Sequence, residues 1–60
     1  MAEMAKRVIN QMSRAEKRKV LAGDVTVAVW VAERVLDCNP AQAERVAEEI
    51  TNQLQRIVVL

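Results

Sequence analysis

The 60-residue chain has no histidine, phenylalanine or tyrosine, and only one each of cysteine, glycine, proline and tryptophan. Each shortage removes a class of chemistry. Without histidine there is no His-based acid–base relay and no Ser-His-Asp triad, and no tyrosine is present to substitute. A lone Cys38 cannot close an intrachain disulfide, and without histidine or a second cysteine the usual ligands of a structural zinc site are missing. A single glycine, Gly23, is too few for a phosphate-cradling loop. The carboxylates fall on the polar faces of expected helices and read as solvated groups. Cys38 follows the C-terminus of an expected helix, where the dipole disfavours a thiolate, so it reads as a buried or incidental thiol. The expectation is a non-enzyme with no cofactor, no metal and no small-molecule substrate.

Long apolar runs are also lacking. The longest is Val27 to Ala32, six residues, against roughly 20 for a membrane-spanning helix. The first residues, MAEMAKRVINQMSR, are charged and have no continuous apolar stretch, so no secretory signal is expected. Together with the single free thiol this points to the cytoplasm and away from a membrane.

What the chain does have is apolar surface: 52% of its residues are hydrophobic. Sixty residues make one domain at most, close to the lower limit for a single self-sufficient core. Small domains gain further stability from disulfides, metals or association, and the composition leaves association. A homodimer or an obligate partner is therefore expected. The net charge is only +1, but it is unevenly spread. Residues 1–21 carry six cations and two carboxylates, whereas residues 22–60 carry three cations and six carboxylates. Such asymmetry suits a nucleic-acid face, and equally the packing of two copies.

Along the chain, Met1, Ala5, Val8, Ile9 and Met12 share one face of a helix from Ala2 to about Met12. Were that helix continuous to Leu21, Glu16 and Lys19 would enter the apolar stripe. Ser13-Arg14-Ala15-Glu16 is a capping-box pattern, so a break is expected near Ser13. Gly23 suits a left-handed position after a helix, and the Asp24 side chain can cap the next one by accepting a backbone N–H. The segment Asp24 to Asp37, DVTVAVWVAERVLD, is the hydrophobic centre. Val25, Val27, Val29 and Val31 alternate as in a strand. As a helix, Val25, Val29, Ala32 and Leu36 lie beside Ala28, Val31 and Val35 on one broad face, leaving Thr26, Glu33 and Asp37 on a polar meridian. The helix is preferred, because alternation fails after Ala32 and no second strand exists to pair with. Asn39-Pro40 opens the last helix, with Asn39 as cap, Pro40 at the first helical position and Gln42 as capping-box partner. There Ala43, Val46, Ala47, Ile50, Leu54, Ile57 and Val58 form the apolar side.

Three sets of residues are candidates for function. Arg14, Lys17, Arg18 and Lys19 form a basic segment capable of phosphate contact, although no aromatic residue is interleaved with it to stack bases. A helix-turn-helix fails on content, because the second helix would offer Val, Ala and Trp where base-reading side chains are needed. Trp30, beside Thr26 and about 160° from the centre of its helix's apolar face, reads as an interface anchor or as core covered by a second subunit. Ile57, Val58 and Leu60, in the apolar run at residues 57–60, read as a docked surface. The expected architecture is a single all-α domain over residues 1–60, a small bundle of three or four short helices assembled as a homodimer. The expected function is regulation by protein–protein binding, as an inhibitor, adaptor or antagonist. The alternative is a small dimeric DNA- or RNA-binding regulator using residues 14–19.

Overall fold

The computed structural model describes residues 2–58, except for the side chain of Val58. Four helices follow in order: α1 (Ala2–Gln11), α2 (Arg14–Leu21), α3 (Val25–Leu36) and α4 (Pro40–Val58). The protein is all-α, with no strand among the described residues. The alternating valines of residues 25–31 therefore lie on a helix, which pairs most backbone groups within the segment and lays a continuous apolar face of α3 against α4. A lone strand would leave its edges unpaired.

Local chemistry sets each boundary. Ser13 is the N-cap of α2: its Oγ accepts the Glu16 N–H at 3.2 Å, and Glu16 Oε1 accepts the Ser13 N–H at 2.8 Å. This reciprocal capping box ends α1 and restarts the chain, so the apolar stripe is reset and Glu16 leaves the core. After α2 the Gly23 N–H donates to Val20 O and the Asp24 N–H to Lys19 O, the paired bonds of a Schellman turn. Gly23 sits at φ 109°. Asp24 begins α3, but its side chain makes no capping hydrogen bond, contrary to expectation. The start of α3 is instead held through the backbone, with the Val27 N–H donating to Asp24 O at 3.3 Å. Asp37 ends α3 in the left-handed region at φ 50°, with its N–H donating to Glu33 O, one residue earlier than the polar meridian implies. Asn39 Oδ1 accepts the Gln42 N–H at 2.8 Å ahead of α4. The Gln42 side chain does not complete a box; its Nε2 approaches Met4 Sδ at 4.0 Å on α1.

All four helices share one core: Ala5, Val8, Ile9 and Met12 from α1 and the residue after it, Val20 from α2, Ala28, Val31 and Ala32 from α3, and Ala43, Val46, Ala47, Ile50 and Leu54 from α4. Five of these residues are alanine and none is aromatic, so the helices approach closely but bury little area per residue. The largest interface is between α3 and α4, an antiparallel pair joined by residues 37–39, and α1 and α2 pack on it. Gln53 Nε2 donates to Ala2 O at 3.1 Å and ties the start of α1 to α4.

Candidate functional site

The one aromatic side chain is outside this core. Trp30 is 66% exposed, the most exposed large apolar residue among those described. Its neighbours explain why. Ala28, Val31 and Ala32 turn inwards, and at 100° per residue Trp30 points about 150° from their mean direction. Thr26 one turn before it and Arg34 one turn after it are exposed on the same ridge, while Glu33 is half-buried on the flank facing away from α2.

On the other flank lies α2. Glu16 Oε2 stands 3.6 Å from Arg34 Nη2, the one ion pair among the described residues. This contact fixes which sides of the two helices meet. Lys19 lies one turn beyond Glu16 on α2, and Trp30 one turn before Arg34 on α3. Glu16 itself is fully engaged. The backbone N–H of Ser13 is the chief reason its carboxyl is held below the ordinary value of 4.5; the Ser13 hydroxyl and the Arg34 guanidinium lower it further, against an opposing effect of partial burial. The only acid on α2 is thus occupied by a cap and an ion pair. Arg14, Lys17, Arg18 and Lys19 have no counter-ion within 4.0 Å among the described residues. Arg14, Arg18 and Lys19 are exposed and Lys17 is half-buried.

A second apolar surface lies elsewhere. Val25 is 46% and Ile57 63% exposed. Both belong to the core-facing sides of their helices, yet each lies beyond the reach of its neighbours. Val25 was expected inside; as the first residue of α3 it has no helix turn before it to complete the packing. Because α3 and α4 are antiparallel, the start of α3 and the end of α4 lie at the same end of the bundle. The Val58 side chain and Leu60, read with Ile57 as a docking surface, lie outside the described residues. Cys38 is half-buried, its Sγ 4.0 Å from Ala32 O.

The sequence candidates therefore divide into three places. Trp30 and Thr26 share the exposed ridge of α3 and Ile57 stands at the far end of α4, whereas Arg14, Lys17, Arg18 and Lys19 lie on α2, where at 100° per residue Arg14 and Arg18 point about 160° from Glu16 and so away from the side that meets α3. Sequence reasoning missed Arg34, which joins the two helices, and the exposure of Val25. The spacing of Arg34 four residues after Trp30 was a signal for the former. Shallow grooves also occur beside Asn39, Ala41, Gln42 and Arg45, and between α1 and α4 at Glu3, Lys6, Glu49 and Arg56, where opposite charges share the rim. No helix among the described residues is long and apolar enough to cross a membrane.

No protein-family model matches the chain, and comparison with curated proteins and with solved structures likewise finds no significant match.

Proposed function

We propose that this is a small regulatory protein that acts by binding other protein chains: a partner protein on the Trp30 face of α2–α3, and a second copy of itself at the end where Val25 and Ile57 are exposed. The observation that carries the reading is the exposure of Trp30. An indole on water gains by being covered, and at protein interfaces tryptophan supplies a large share of the binding energy. The core of small aliphatic residues supports it too, because a domain of this size has little stability to spare and association adds burial.

The test exploits the single tryptophan. Trp30→Ala should leave helix content and melting temperature nearly unchanged while abolishing capture of a partner that the unaltered protein retains from its native cell. If the variant unfolds, or captures the same partner equally well, the reading fails.

A second reading, nucleic-acid binding, is supported by the unpaired state of Arg14, Lys17, Arg18 and Lys19. Four phosphate contacts would make the logarithm of affinity for random duplex DNA fall with the logarithm of salt at a slope of about −3 to −4. No binding at low salt removes this reading.

A further inference from the structure

We propose that the outward face of α2 is a docking surface for the phosphate backbone of a nucleic-acid duplex. This rests on nucleic-acid binding by the basic segment and adds the face that binds and the form of nucleic acid it takes. The ridge of α2 opposite the Glu16–Arg34 contact carries Arg14 and Arg18, both exposed and four residues apart, with half-buried Lys17 on one flank and exposed Lys19 on the other. Beside them the only other exposed residues are Ala15 and Ala22, too small to hold a broad partner off the guanidinium groups. Nothing in the fold asks for this arrangement. Arg14 stands in the first turn of α2, where the helix dipole opposes a cation, and it has Lys17 and Arg18 three and four residues on, like charges that repel on a helix surface. By contrast, Glu3 stands at that spacing from Lys6 and Arg7 on α1, and Glu48 and Glu49 from Arg45 on α4. The one acid of α2, Glu16, is turned to Ser13 and Arg34. An eight-residue helix is weak by itself, so charges that weaken it further point to an anion outside the chain.

Charge density and the lack of an apolar anchor decide between the anions that could sit there. The four cations span about 8 Å of helix axis, and a duplex, with one charge per about 1.7 Å of its own axis, matches that density. An acidic protein segment would need an apolar anchor at the centre of the contact, and a membrane surface would need large apolar side chains to insert; the exposed residues of this face offer only alanine. A single strand gains by stacking on aromatic side chains, and the one aromatic residue, Trp30, stands on the outward ridge of α3 instead.

The probes are a labelled random-sequence DNA duplex, one of its strands alone, polyglutamate, and vesicles containing phosphatidylserine, each titrated with the full chain across a salt series. The duplex should bind tightest, the logarithm of its affinity falling with that of salt at a slope of about −3 to −4. Arg14→Gln should make this slope shallower by about one unit. Because it removes a cation from the first turn of α2, it should also leave the thermal midpoint unchanged or raised. Arg45→Gln, on α4, should leave the slope as it is. A lower midpoint for Arg14→Gln would show that the charge serves the fold, and would overturn the proposal. So would a slope that Arg14→Gln leaves unchanged, although nucleic-acid binding would then stand on other residues. Equal or tighter binding to the single strand, to polyglutamate or to the vesicles overturns the duplex as occupant. No binding to either nucleic acid at low salt removes both the proposal and the nucleic-acid reading on which it rests.

Discussion

Gly23 and Ser13 show how single residues place whole helices. At φ 109° Gly23 occupies backbone space that an L side chain rarely enters, although a Cβ there would meet nothing within 4 Å. The cost of Gly23→Ala is therefore backbone strain alone, on the order of 1–2 kcal/mol, with no clash for repacking to relieve. Chemical denaturation should show that loss with an unchanged slope; a neutral result would mean that the turn adopts another conformation. Ser13→Ala removes the acceptor of the Glu16 N–H and should cost about 1 kcal/mol, read as a lower thermal midpoint. Trp30→Ala belongs at this scale too. An exposed side chain away from the core should change stability by no more than about 0.5 kcal/mol, which separates an interface residue from a core residue in one melt.

Among the elements, α2 is the most dependent on its surroundings. Eight residues are too few for a helix stable by itself, so α2 rests on Val20 in the core, the capping box and the Arg34 contact. The carboxyl of Glu16 is held below its ordinary 4.5 by those partners. A carboxyl lowered in the folded state contributes stability that is complete above its unfolded value and is lost as pH falls through the lowered one. Acidification should thus destabilise the native protein more than Glu16→Gln, which keeps a capping acceptor but not the charge. Thermal midpoints at neutral pH and well below pH 4.5 measure the difference, and parallel curves for the two proteins would show that Glu16 contributes nothing pH-dependent. In contrast, α4 is held by a long stripe. Ile50 is fully buried at its middle, and Ile50→Ala should cost about 2–5 kcal/mol, a large share of what so small a core supplies.

At the scale of the whole molecule, the open question of assembly has a direct measurement. If a second copy covers Val25 and Ile57, light scattering at micromolar concentration should give a mass near twice the 6.7 kDa of the chain, and Val25→Lys with Ile57→Lys should return it to the single-chain value. A mass near 6.7 kDa for the unaltered protein would refute the homodimer. Much of the fold was legible beforehand, because helix breaks, caps and apolar stripes depend on residues no more than about four apart: the Ser13–Glu16 box, the turn at Gly23, the cap at Asn39 and the inward row from Ala43 to Leu54 are all of this kind. Trp30's outward direction followed from the same arithmetic once α3 was a helix. What lay beyond local rules was adjacency between elements. Nothing in the spacing of Glu16 and Arg34 says that they meet; the Schellman turn between α2 and α3 folds the chain back so that they do. Nor does periodicity tell that Val25 and Ile57 stay uncovered, since a stripe specifies direction and only the lengths and ends of neighbouring helices specify cover. By itself the sequence determined where helices start, stop and face. The tertiary structure decided which sides of α2 and α3 meet, at Glu16 and Arg34, because that arrangement depends on how two helices fold back on each other.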